Sequence, residues 1–191
     1  MIYTVPIDKP FDIEYDETVY SPEHTSLGSV LIAAQLIKDG KKPNMKILDV
    51  GCGSGVLGLS IKRMNPFTEV ILCDIDKNAV RVTKRNAEGL DVTVLGCDLF
   101  PTIGEFDIVV ANLPTFDQEQ MKTEELHGPK VAYAGGKRPL RLYSRLLSEA
   151  RFRTRVLICE CQPKYQTEFQ VLAAMEGWTL IMNSGDCFAF W

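Results

Sequence analysis

The sequence predicts an α/β fold: a doubly wound, seven-stranded mixed sheet of Rossmann-like type that ends in an antiparallel hairpin. Three observations carry that expectation. From Met45 onward, short β-branched runs alternate with amphipathic segments, the pattern of a parallel sheet covered by helices on both faces. One run, ILDVGCGSGVLGLSI, passes from a strand through glycines into a helix. The chain ends WTLIMNSGDCFAFW, two apolar runs around Ser184-Gly185-Asp186 that read as a hairpin closing the sheet. At 191 residues, one domain spanning 1–191 is expected, with 1–44 as a leading segment and helix and 45–191 as the core.

The elements follow in order. Leu27, Val30, Leu31, Ala34 and Ile37 recur at helical spacing between Thr25 or Ser26 as a cap and Gly40 as a stop. Strands are placed near 46–50 (KILDV), 69–74 (EVILCD), 92–96 (VTVLG), 106–111 (FDIVVA) and 155–161 (RVLICEC). Asp76 can cap a helix from Lys77 to Glu88, with Gly89 just past its end. Pro139 suits the first turn of a helix whose Leu140, Tyr143 and Leu147 form one stripe, which leaves Arg138, Arg141 and Arg145 together on another face.

Composition narrows the function classes. Hydrophobic residues make up 46% and charged residues 24%, which is ordinary for a globular protein. No apolar run approaches the length of a membrane span and the first residues lack the regions of a signal peptide, so a cytoplasmic protein without membrane contact is expected. Cys52, Cys73, Cys97, Cys159, Cys161 and Cys187 are scattered without a CxxC pair and read as free thiols. His24 and His127 are loop residues rather than ligands, so no metal site is expected. The net charge of −4 argues against a surface built wholly for nucleic acid, but Lys137, Arg138, Arg141, Arg145, Arg151, Arg153 and Arg155 crowd one stretch in which Glu149 is the only acid.

The glycine loop is the first chemical signal. Gly53-x-Gly55-x-x-Gly58 satisfies the dinucleotide fingerprint and Asp74 stands where a ribose-binding acid belongs, so an NAD-dependent oxidoreductase is a rival reading. Asp49, ahead of Gly51, points elsewhere: an acid there repels a pyrophosphate and suits an ammonium group. Asp98 follows the third strand. In a doubly wound sheet the carboxyl ends of neighbouring strands line one crevice, so Asp49, Asp74 and Asp98 should converge on one molecule. S-adenosylmethionine offers an amino-acid end, a ribose diol and an adenine amine in matching order.

The sequence here resembles the class I S-adenosylmethionine-dependent methyltransferases in their seven-stranded form, over nearly the whole chain. The resemblance implies that the loop through Gly51, Cys52, Gly53 and Gly55 cradles the methionine part, beside Asp49. It also implies that Asp74 with Ile75 takes the ribose, and that Cys97, Asp98 and Leu99 border the adenine.

The run IVVANLPTF, residues 108–116, is an odd end for a buried strand, because an interior ladder tolerates neither an unpaired amide nor a missing donor. Asn112-Leu113-Pro114 resembles the (Asn/Asp)-Pro-Pro-(aromatic) motif of enzymes that methylate planar nitrogens. That resemblance implies that the Asn112 side-chain oxygen and the Leu113 carbonyl hold the acceptor N–H groups; Asn112 also borders the cofactor. The motif's aromatic should fall at 115, where the chain has Thr115, so Phe116 is expected to supply the ring; a looser site that takes a smaller amide and a decayed, merely cofactor-binding module are the other outcomes.

VYSPEHTSLGSVLIAAQLI, AYAGGKRPLRLYSRLLSEA and VLICECQPKYQTEFQVLAAMEGW resemble segments of the release-factor glutamine N5-methyltransferases, the HemK-like group. A protein glutamine amide is therefore the first expected acceptor. An exocyclic amine of RNA (ribosomal guanine or adenine) or of DNA is the second, because VYSPEHTSLGS also resembles the opening of ribosomal RNA guanine N2-methyltransferases. An accessory subunit is compatible with a chain of this length, and the sequence sets no oligomeric state.

Overall fold

The computed structural model describes residues 1–40, 42, 44–102, 104–126 and 128–191; His127 lies outside them. The chain opens with two strands absent from the sequence expectation, β1 (Ile2–Val5) and β2 (Phe11–Glu14), paired antiparallel in a sheet of their own. Phe11 and Ile13 are buried while Asp12 and Glu14 are exposed, an alternation only four residues long and so too short to stand out in sequence. The Asn86 side chain acts as a surrogate strand partner for this hairpin. Its oxygen accepts from the Glu14 N–H (2.9 Å) and its nitrogen donates to the Glu14 and Ser54 carbonyls, which ties the hairpin to the glycine loop.

A 3-10 turn (Pro22–His24) leads into α1 (Gly28–Gly40). Then come β3 (Lys46–Val50), α2 (Val56–Met64), β4 (Glu69–Asp74), α3 (Lys77–Asn86), β5 (Val92–Gly96), β6 (Phe106–Ala111), α4 (Gln120–Thr123), α5 (Arg141–Ala150), β7 (Thr154–Glu160), α6 (Gln166–Met175), β8 (Leu180–Ser184) and β9 (Cys187–Phe190). The seven-stranded sheet has the order β5-β4-β3-β6-β7-β9-β8, parallel except for β9, which runs antiparallel to both neighbours. The strand order reverses between β3 and β6, which opens a crevice at their carboxyl ends.

Both faces of the sheet are covered, as its near-continuous apolar strands require. Leu48, Val50, Val109, Ala111 and Leu157 point to one core with Tyr143, Leu147 and Phe169 of α5 and α6. Ile47, Ile108, Val110 and Ile158 point to the other, with Val30, Ala33 and Ile37 of α1 and Leu59 of α2. Asp76 caps α3 by accepting from the Asn78 N–H.

Three expectations are corrected. The buried arc of α1 runs through Val30, Ile32, Ala33 and Ile37, while Leu31 is exposed, because α1 packs against α2 and against the interior strands β7 and β9. The helix after Asp76 stops at Asn86, with Ala87 as its cap. β7 starts one residue early at Thr154 and ends at Glu160, so Cys161 follows the strand; Cys159 and Cys161 are both buried in the same apolar core. The described residues contain no group of side chains that could hold a metal ion, and no helix among them is long and apolar enough to cross a membrane.

Candidate active site

The crevice at the β3/β6 reversal holds a cavity of about 570 Å³, in the size range of small-molecule sites. Asp49 forms its floor. It is 1% exposed; its Oδ2 accepts from the Gly58 N–H at 2.8 Å, and its Oδ1 has no partner. Burial pushes this carboxyl up to about 7, against the Gly58 bond and with the help of the Asp74 charge. A cationic ligand group would satisfy the orphaned oxygen.

The loop after β3 turns on Gly51, Gly53 and Gly55, all at positive φ (69°, 56° and 86°), a region open to glycine at little cost. Gly51 and Cys52 donate to the Cys73 carbonyl, and the Thr83 hydroxyl donates to the Gly53 carbonyl, so the loop is fixed from β4 and α3. Gly51, Cys52 and Gly53 line the cavity. Gly55 instead sits behind it as the N-cap of α2, facing Leu59 and Thr83.

Asp74 ends β4, with one carboxylate oxygen accepting from the Gly53 N–H (3.0 Å) and the other from the Asp76 N–H (2.9 Å). Each oxygen keeps a second lone pair for a ligand hydroxyl. Ile75, 70% exposed, stands beside it at the rim. Cys97, Asp98 and Leu99 line the same end, and Leu99 holds φ +61°, the one non-glycine residue at positive φ among the described residues. Asp98 carries a two-pronged ion pair from Arg145 at 3.0 and 3.2 Å, a contact not anticipated from the sequence.

At the opposite end, Asn112, Leu113, Pro114 and Phe116 all line the cavity. The Asn112 side chain makes no hydrogen bond among the described residues. Behind it the fully buried Tyr143 hydroxyl accepts from the Leu113 N–H at 3.0 Å and donates to the Glu160 carbonyl, clamping the ends of β6 and β7 together. Removing that hydroxyl in Tyr143→Phe strands the buried Leu113 N–H and takes a donor from the half-buried Glu160 carbonyl. Urea unfolding should show a loss of about 1–3 kcal/mol with an unchanged m value, and an unchanged midpoint would show that the clamp is energetically idle.

Thr115 is 7% exposed, and its hydroxyl accepts from Gln162 at 2.6 Å. The threonine is thus a built part of the wall. Phe116 exchanges two backbone hydrogen bonds with the 133–135 segment, its N–H donating to Tyr133 and its carbonyl accepting from Gly135. Its ring lies 5.2 Å from that of Tyr133, which in turn lies 4.9 Å from Tyr20. The aromatic wall is therefore three rings from three distant segments. Gly135 permits the approach, since a Cβ there would meet the Pro139 backbone at 2.7 Å.

Tyr20, His24, Tyr133, Glu160 and Gln162 line the cavity too, and sequence reasoning assigned none of them a role there. Only Glu160 had a signal, a lone acid closing an apolar strand. Of the basic cluster, Arg141 and Arg145 line the cavity. Arg151 and Arg153 are instead bonded to the Gly177 and Pro101 carbonyls, and Arg155 faces Asp107 near the amino ends of the strands.

The chain matches the family described as Methyltransferase small domain over residues 11–129. Ribosomal RNA small subunit methyltransferase C of Escherichia coli (strain SMS-3-5 / SECEC) is 33% identical over 105 residues, which is 53% of this chain and 30% of that protein. The enzyme of the same name from Escherichia fergusonii matches to the same extent. The matched segment is thus under a third of those relatives' length. Among solved structures, the hMettl16 catalytic domain in complex with a MAT2A 3'UTR hairpin is similar with a TM-score of 0.71 and 13% identity, covering 93% of this chain and 74% of that one. Ribosomal protein L11 methylase from Lactobacillus delbrueckii subsp. bulgaricus gives a TM-score of 0.63 and 16% identity, over 91% and 79% of the two chains. At such identities the structures speak for the fold alone. Methyltransferases of the matched family use S-adenosylmethionine, and an orphaned carboxylate oxygen beside a glycine loop fits the amino-acid end of that cofactor. The nicotinamide alternative falls away, and the chain belongs to the Methyltransferase small domain family.

Proposed function

We propose that the protein methylates a planar nitrogen, an exocyclic base amine of RNA. The observation that carries this is the Asn112 amide, unpartnered among the described residues, which lines one cavity with the rings of Phe116, Tyr133 and Tyr20 and the carboxylates of Asp49 and Asp74. Bound S-adenosylmethionine supplies a methyl group activated by the sulfonium. In this reading Asp49 with Gly51, Cys52 and Gly53 holds the amino-acid end, with Gly55 shaping the loop from behind. Asp74 beside Ile75 accepts from the ribose hydroxyls, and Cys97, Asp98 and Leu99 border the adenine, Asp98 sharing its charge with Arg145.

At the acceptor, the Asn112 oxygen and the Leu113 carbonyl take the amine N–H groups and hold its lone pair toward the methyl. A planar amine is a weak nucleophile whose proton can leave after it becomes cationic, so positioning and electrostatics suffice without a strong base. Pro114 fixes the turn, and the rings supply the faces on which a base stacks.

RNA is favoured over the protein glutamine expected from the sequence on two grounds. The relatives are named for ribosomal RNA, and Arg141 places an exposed cation at the rim, where a phosphate backbone would run. Tritiated methyl transfer to host lysate, divided by ribonuclease and protease treatment, tests this: label lost to ribonuclease is expected, and label lost only to protease restores the glutamine amide.

A further inference from the structure

The acceptor end holds a carboxylate with no assigned task. Glu160 is the last residue of β7, and Ala111 pairs with Cys159 in the parallel register of β6 and β7. Asn112 therefore stands level with Glu160 on adjacent strand ends, roughly 4.8 Å apart at the backbone, and both line the cavity. The Tyr143 clamp joins Leu113 to the Glu160 carbonyl and fixes that spacing.

The other polar side chains nearby are already engaged. Gln162 donates to Thr115 and accepts from Gln120 at 2.7 Å, and Asp186 accepts from Gln166 at 2.9 Å. Among the described residues the Glu160 carboxylate receives the Ser26 N–H alone, at 3.2 and 3.3 Å to its two oxygens, leaving most of its acceptor capacity unused.

We propose that Glu160 reads the acceptor as guanine by accepting from its ring N1–H, while Asn112 beside it accepts from the adjacent N2 amine. This rests on the RNA reading above and deepens it. An extruded base presents its Watson–Crick edge to such a pocket. Guanine alone among the common bases with an exocyclic amine places a ring N–H donor beside that amine. Adenine and cytosine place a ring nitrogen acceptor there, whose lone pair would face the carboxylate.

Burial, with Asp186 adding to it, pushes the Glu160 carboxyl up to about 7, so its ionised, purely accepting form prevails in assays run above that pH, where a donor N–H relieves the cost of the buried charge. A site built to hydrogen-bond a substrate N–H rejects an analogue lacking it far more strongly than a shape-only pocket does.

The test uses short single-stranded RNA carrying one guanine or one 2-aminopurine, which keeps the amine and lacks the N1–H. The wild-type protein should transfer methyl to guanine about a hundredfold or more faster than to 2-aminopurine. Glu160→Leu should lower the guanine rate by a similar factor and erase the preference, since its side chain can no longer accept from the N1–H. Its affinity for S-adenosylhomocysteine should be unchanged, which shows that the variant is folded. Equal wild-type rates on the two bases overturn the inference without recourse to any variant. Guanine transfer untouched by Glu160→Leu overturns it too, while leaving the RNA reading standing. Transfer to protein alone, with none to any RNA including ribosomal RNA, overturns both.

Discussion

Replacing Asn112 by alanine is expected to lower methyl transfer about a hundredfold or more while leaving S-adenosylhomocysteine affinity unchanged. The asymmetry follows from position. Asn112 directly follows β6 at the crevice, where its amide has no partner among the described residues. On the proposed reading its hydrogen bonds are made with the acceptor and orient a delocalised lone pair, whose misplacement by about 1 Å can cost a factor of 100. Leu113 is held separately by Tyr143, so the substitution should leave the rest of the turn in place. Single-turnover transfer alongside calorimetric ligand titration separates the outcomes. Full activity in Asn112→Ala would remove the planar-nitrogen chemistry, and a parallel loss of cofactor affinity would reassign the residue to the cofactor.

Asp74→Ala is expected to weaken S-adenosylhomocysteine binding by about 2 kcal/mol or more, some thirtyfold, because the ribose diol loses a charged acceptor. Two effects combine here. The same carboxylate accepts from Gly53 and Asp76, so its removal also frees the glycine loop from β4. Asp74→Asn separates them, since its oxygen can keep the Gly53 bond while the charge is lost. Calorimetry should rank affinity as wild type, then Asn, then Ala. Wild-type affinity in a folded Asp74→Ala protein would show that the ribose lies elsewhere.

The sequence made most of the sheet legible, for reasons visible in particular residues. Strands buried on both faces must be apolar throughout, and KILDV, EVILCD and FDIVVA are apolar except at exposed strand ends and at Asp49 and Asp107, each held by hydrogen bonds. The end of the cavity lined by Asp49, Asp74 and Asp98 was legible because these residues sit at strand ends in chain order. The other end was less so: Tyr20 and Tyr133 come from segments without periodicity and meet through the Phe116–Ala134 bridge and their own ring contact, while Glu160, at the end of a legible strand, reaches the cavity through the β6–β7 register. Thr115 misled because a motif position reads as loss of a ring, whereas the wall draws its rings from other segments and gives the threonine a hydrogen bond to Gln162. The β1–β2 hairpin was invisible because strands of four residues carry too few alternations to register.

The orphaned oxygen of Asp49 also sets a proton count. A carboxyl held near 7 by burial is about half protonated at neutral pH, and an ammonium arriving beside it draws the ionised form. Ligand binding near pH 7 should then expel roughly half a proton into solution. The enthalpy of S-adenosylhomocysteine binding would consequently depend on the buffer, differing between phosphate and Tris by that fraction of the difference in their ionisation enthalpies. Affinity should fall as the medium is acidified below 7, because more of the protein must first surrender its proton. Asp49→Asn should abolish both dependences, and a buffer-independent enthalpy in the wild-type protein would place the ammonium away from Asp49.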